Sequence, residues 1–179
     1  MKVTAVLHFD KAAGFIDSSS AELAANPGLS YKGFKDALSI CQRLELLGPF
    51  DGMFVSRLAR ALDTASVLAM YLNMDFQTMF GLGQAGNKEG DKIVMYPGFE
   101  NSCFTGWQNN ALSSLEELAL HGYGHVLIVS HRPIIWSLCA YAQGITTEEE
   151  ISALVMKGFS DESIYQFEYN FGLLQLNTL

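Results

Sequence analysis

Positive charge is scarce in this chain of 179 residues: 11 lysines and arginines face 19 aspartates and glutamates, a formal net charge of -8. A surface of that sign repels nucleic acid and anionic membranes, and no basic cluster offsets it, so neither is expected as a partner. Cysteine is nearly absent as well. Cys41, Cys103 and Cys139 show no C-x-x-C spacing and are odd in number, which argues against a disulfide framework and suits a reducing interior. No apolar run approaches the ~18 residues of a membrane span. The start of the chain lacks the basic stretch followed by an apolar one that marks a secretory leader, so a cytoplasmic protein is the expectation. The sequence also lacks the clustered His, Cys and Asp spacings of a metal centre, internal repeats, low-complexity blocks and long Pro/Gly linkers.

What the chain does have is apolar mass. It is 49% hydrophobic and 17% charged, which suits one domain spanning 1–179 with a sizeable core. Strand and helix patterns alternate along it. Residues 2–8 read as a buried strand. Leu29 to Leu47 reads as a helix with Ser30 as N-cap, its apolar residues Phe34, Ala37, Leu38, Cys41, Leu44 and Leu47 near a 3.6 period, ended by Gly48-Pro49. A short strand at 52–55, a helix at 57–72 and a strand at 76–79 follow. Between Gly81 and Gly106 six glycines and a proline predict a long loop or insertion that could act as a lid. Residues 107–121 read as a helix, 125–130 as a central strand and 134–143 as a helix. Thr147, before three glutamates, caps a helix to about Met156. Ser163–Tyr169 and Leu173–Asn177 read as a hairpin around Asn170-Phe171-Gly172. The expected fold is α/β, a three-layer α/β/α sandwich whose mostly parallel sheet has an antiparallel edge strand.

Two of these strand patterns end in histidine: His8 and His131. In an open parallel sheet, ligands bind outside the carboxyl ends of the strands, so two imidazoles delivered to that edge can face one ligand. Ser56-Arg57-Leu58-Ala59-Arg60-Ala61 sits at a third strand end and opens a helix. Each histidine alone reads most simply as a strand-end or core residue. Together with the arginines they describe an anion site, most plausibly for phosphate. His121, at a helix end, and His125, opening a strand, read as structural or solvated.

These segments carry a resemblance. Leu7-His8-Phe9, Ser56-Arg57-Leu58-Ala59-Arg60-Ala61-Leu62-Asp63-Thr64-Ala65 and Val129-Ser130-His131 resemble the Arg-His-Gly, Ser-x-Leu-x-Arg-Ala-x-x-Thr-Ala and Ser-His segments of the histidine phosphatase, or phosphoglycerate mutase-like, superfamily. Weaker echoes are Pro97-Gly98-Phe99-Glu100 and Ser163-Ile164-Tyr165-Gln166-Phe167-Glu168. The resemblance implies phosphoryl transfer in two steps, with His8 attacking phosphorus to give a phosphohistidine that water or an acceptor resolves. Arg60 and His131 would hold the non-bridging oxygens. No metal or other cofactor is implied. The implied substrate is a small phosphorylated molecule or a phosphoprotein.

The departures from that pattern are specific. Leu7 stands at the position of the first phosphate-binding arginine, Phe9 at that of a glycine, and Gly14 where many members carry asparagine. Gln84 occupies the place of the proton-donating glutamate, and Arg132 that of the glycine after the second histidine. Losing one charged oxyanion donor costs ~10²–10³ in rate, and losing a general acid ~10²–10⁴. Arg57, Arg132 and Lys11 are candidates to resupply positive charge, and Glu89 or Glu100 to act as the acid. Phe99, Phe104 and Trp107 could line a substrate pocket or pack in the core. The expected activity is therefore a weakened metal-independent phosphomonoesterase, mutase chemistry being less expected. The alternatives are a non-catalytic pseudophosphatase that binds a phosphorylated ligand or partner protein, and a bare scaffold. The scaffold reading requires Leu7 and Phe9 to fill the site; the others require a guanidinium to meet His8 and Arg60 around one cavity.

Overall fold

The computed structural model describes residues 1–12, 26–83, 87–89, 92–94, 104–157 and 163–177. In chain order the first elements are β1 (Lys2–Leu7), α1 (Tyr31–Ser39), α2 (Cys41–Leu47), β2 (Gly52–Val55), α3 (Ala59–Leu72) and β3 (Phe76–Thr78). A 3-10 turn at Phe80–Leu82 precedes the small strands β4 (Asn87–Glu89) and β5 (Lys92–Val94). Then come α4 (Phe104–Leu120), β6 (His125–Ser130), α5 (Arg132–Ala142), α6 (Glu148–Lys157), β7 (Ile164–Asn170) and β8 (Leu173–Asn177).

Six strands form one sheet in the order β3-β2-β6-β1-β7-β8. The first four run parallel, while β7 runs antiparallel to β1 and pairs with β8 as an antiparallel hairpin at the sheet's end. β1 sits inside the sheet and is buried at every position after Lys2, which is why its sequence is an apolar run rather than an alternation. Its side chains still divide by the period of two. Val3, Ala5 and Leu7 join Val126, Ile128 and the α4 and α5 residues Ala111, Leu115, Ile134 and Leu138 in one core. Val6 joins Met53, Val55, Leu127 and Val129 with Cys41, Leu44, Ala61 and Leu68 of α2 and α3 in the other. Helices on both faces of a mostly parallel sheet make the three-layer α/β/α arrangement. Among the described residues no helix is long and apolar enough to cross a membrane.

Several boundaries differ from the sequence expectation, each for a local reason. The first strand ends at Leu7, so His8 lies just past the ladder. The helix expected over 29–47 begins at Tyr31, with the Ser30 hydroxyl accepting from Gly33 N at 3.0 Å, and is interrupted at Ile40. Phe34 and Leu38, expected on its buried face, are 40% and 58% exposed. The next helix starts at Ala59 rather than 57 because Leu58 is extended (φ -77°, ψ 139°), and its Ala59 N–H is capped by the Asn26 side chain at 2.9 Å. α4 begins three residues early, at Phe104, because the Glu148 carboxylate accepts from Phe104 N and Thr105 N at 2.9 and 2.8 Å. α5 opens at Arg132 with Pro133 in its first turn. The loop expected between 81 and 106 holds the end of the 3-10 turn, the paired strands β4 and β5 and the start of α4; 84–86, 90–91 and 95–103, with Phe99 and Cys103, lie outside the described residues, as does Gly14.

Candidate active site

The register of the central strands assembles the site. Leu7 pairs with Ser130 across the β1–β6 ladder, so the next residue of each strand, His8 and His131, emerges at the same level of one sheet edge. Their ring centroids are 4.9 Å apart. On the other side of β6, Val55 pairs with Val129, which brings Ser56 and the start of α3 to the same edge. Arg60, in the first turn of α3, is 3% exposed and donates from Nε to His8 Nε2 at 3.1 Å.

The hydrogen bonds fix the state of His8. Its Nδ1 meets the Phe9 carbonyl at 2.8 Å, and a carbonyl can only accept, so Nδ1 carries the proton and Nε2 presents a lone pair. Burial holds the His8 pKa down at about 4, opposed by the Phe9 carbonyl and helped by the charges of Arg60, Arg132 and Lys11. His131 is fully buried, with Nε2 2.6 Å from the Ser56 hydroxyl, and burial, then Arg60 and His8, push its pKa well below the usual value. At neutral pH two uncharged imidazoles therefore flank one guanidinium, an arrangement in which an imidazole nitrogen can serve as nucleophile and the cation can hold an oxyanion.

A cavity of about 690 Å³ opens beside His8, lined also by Leu7, Phe9, Lys11, Lys32, Asp36 and Arg132. Lys32 is engaged by Asp36 at 2.5 Å, while Lys11 and Arg132 bring two further cations to the wall. Leu7 and Phe9 do not fill this space. Leu7 is 7% exposed and packs into the core beneath α4 and α5, and Phe9 is half-buried against the core on the α2–α3 side. Arg57 takes no part in the cavity lining: it is exposed, with its guanidinium 5.9 Å from the Phe80 ring centre. The guanidinium of Arg132 lies 5.1 Å from the ring of Trp136, one helical turn on. Gln84 and Glu100 lie outside the described residues, and Glu89 is placed only as the last residue of β4. Trp107 is a core residue in edge contact with Phe104 at 5.1 Å, and neither lines the cavity. His121 is exposed and His125 bonds Thr4 at 3.0 Å at the far end of the sheet. Among the described residues no three His, Cys, Asp or Glu side chains come together as a metal site.

Three hydroxyl residues brace the site that reading by residue type overlooked. Ser56 holds His131 as above. Thr64 Oγ1 donates to the Arg60 carbonyl at 2.8 Å and accepts from Phe9 N at 3.4 Å, joining helix to strand end. Ser130 donates to the Leu82 carbonyl at 2.7 Å, fixing the 3-10 turn. Ser56 and Thr64 were visible as the first and ninth residues of the 56–65 segment.

No protein-family model matches the chain, and no curated protein matches it by sequence. Solved structures do match, over nearly the full length of both chains. A mycobacterial glucosyl-3-phosphoglycerate phosphatase in complex with VO3 superposes with a TM-score of 0.73 at 16% identity, covering 99% of this chain and 98% of its own. A phosphoserine phosphatase from Entamoeba histolytica in complex with phosphoserine gives 0.67 at 16% identity, with 99% and 95% covered. The protein histidine phosphatase SixA complexed with tungstate gives 0.66 at 19% identity, again with 99% and 95% covered. The chain has the histidine phosphatase fold.

Proposed function

We propose that this chain is a histidine phosphatase-like protein that hydrolyses phosphomonoesters without a metal, through a phosphohistidine on His8. The observation that carries this reading is the contact of the buried Arg60 Nε with His8 Nε2, His8 itself lining a cavity whose wall also holds Arg132 and Lys11. A phosphoryl oxygen entering the cavity competes for the Arg60 N–H. Once it accepts that N–H, the Nε2 lone pair is free to attack phosphorus. The N–P bond forms as the ester P–O bond breaks, and the leaving oxygen departs with the bonding pair. Water then attacks phosphorus, the N–P bond breaks back to a neutral imidazole, and inorganic phosphate leaves.

Arg60 and Arg132 supply the guanidinium contacts of this scheme, Arg132 standing in for the arginine that Leu7 replaces. The substrate class this supports is a small phosphorylated molecule or a phosphoprotein, the kinds of substrate named for the similar structures, with good leaving groups turned over best. A second reading, a non-catalytic protein that binds a phosphorylated ligand or partner, is favoured by one observation: Leu7 is committed to the core and brings no charge to the site.

Hydrolysis of para-nitrophenyl phosphate by the wild type and by His8→Ala and Arg132→Ala separates the two. Turnover that vanishes in His8→Ala and falls ~10²–10³-fold in Arg132→Ala is the expected result. Equal background in all three proteins, with calorimetric binding of inorganic phosphate retained by the wild type, would sink the catalytic reading and leave the binder.

A further inference from the structure

The pairing of Ser56 with His131 assigns a proton that the phosphatase reading leaves open. Both side chains are fully buried, and Nε2 and Oγ are 2.6 Å apart. That separation is typical of a hydroxyl donor and shorter than the usual N–H···O range. The Ser56 oxygen already accepts from Leu58 N at 3.3 Å. If the imidazole donated from Nε2, Ser56 would accept twice, and its own buried proton would have no acceptor among the described residues. The Nδ1 lone pair of His131 would be orphaned too, since Nδ1 has no hydrogen-bond partner. With Ser56 as donor, the hydroxyl is satisfied and a single group is left over, a buried Nδ1–H. A buried donor without an acceptor is costly to keep, and this one lies in a ring 4.9 Å from that of His8, close to the Arg60 charge.

We propose that Ser56 is a positioning residue that locks His131 in the Nδ1–H tautomer, so that this N–H donates to an oxygen of the phosphoryl group held beside His8. The proposal rests on the reading of the cavity as a phosphoryl site. It casts His131 as a neutral hydrogen-bond donor, with neither the charge of an imidazolium nor a lone pair directed at the anion. The other tautomer would set a lone pair against the phosphoryl oxygens.

The test is long-range ¹H–¹⁵N correlation NMR of the histidine rings, with inorganic phosphate as the probe, on the wild type, Ser56→Ala and Ser56→Thr. The expected wild-type spectrum shows His131 protonated at Nδ1 and bare at Nε2, with Nδ1 moving as phosphate is added. Ser56→Ala should shift part of the population to the Nε2–H form and weaken phosphate binding roughly ten- to hundredfold, the worth of a hydrogen bond to a charged group. Ser56→Thr, which keeps the hydroxyl, should retain the wild-type tautomer. A wild-type His131 protonated at Nε2 overturns the proposal even if phosphate binds, and needs no variant to fold. The expected tautomer in a protein that ignores phosphate overturns the phosphoryl-site reading, and the positioning role with it.

Discussion

At the scale of single residues, burial keeps the two imidazoles of the candidate site uncharged. His8 is neutral in the folded protein down to about pH 4, while in the unfolded chain it titrates near 6.5. Above 6.5 both states are unprotonated and the group has no effect on stability. Between 6.5 and 4 the unfolded chain takes up a proton that the folded one refuses, so stability falls as the pH drops. The fall is bounded at about 3 kcal/mol for His8, and His131, shifted in the same direction, adds to it. Urea unfolding at pH 7 and pH 4.5 should show this loss, and His8→Gln should remove part of it. An unchanged pH slope in that variant would mean that burial is not what keeps the imidazole neutral. By the same argument the acid limb of kcat/KM should lie near pH 4, well below the ordinary histidine range.

At the scale of elements, the loop after β1 is held by α1. Gly33 lies so close to the Asp10 backbone that an added Cβ would sit 2.2 Å from the Asp10 carbonyl oxygen. Ser30, the N-cap, donates to the Asp10 carboxylate at 2.8 Å, and its backbone N–H reaches the Asp10 carbonyl at 2.9 Å. The helix start thus clamps the chain two residues past His8. Gly33→Ala should separate the two, costing about 1–3 kcal/mol by overpacking and lowering para-nitrophenyl phosphate turnover as the Phe9 carbonyl moves away from His8. Thermal unfolding and kinetics on the variant check both; wild-type turnover would show that the clamp does not set the site. Much of this scale was legible beforehand. β1 and β6 announced themselves as apolar runs ending in histidine, and Ser30 as a cap before a helical period. The rest depended on hydrogen bonds from distant residues. Nothing near Phe104 announces that Glu148 will cap its helix, and nothing near Ala59 points to Asn26. Arg57 and Arg60 look alike in the sequence, yet the extended Leu58 leaves Arg57 in the turn outside the helix and Arg60 inside.

At the scale of the whole molecule, the site is a product of strand order. His8 and Arg60 are 52 residues apart and Ser56 and His131 are 75 apart, yet parallel pairing of β1, β6 and β2 brings them to one edge. The joint placement of the two histidines could be read from two strand ends; their adjacency could not, because it needs β6 to lie between β1 and β2. That same order has a cost in time. The neighbours of β1 in the sheet are β6 and β7, so the segment Val3-Thr4-Ala5-Val6-Leu7 has no strand partner until residue 125 and beyond has been made. While the chain is synthesised or refolded, a short apolar strand with two bare edges waits through most of its length, the condition under which chains find each other instead. Refolding yield from denaturant should therefore fall steeply with protein concentration, and a Val6→Lys variant, unable to fold, should aggregate less from the same start. The strand that leads into His8 is also the segment most exposed to the wrong partner before the right one arrives.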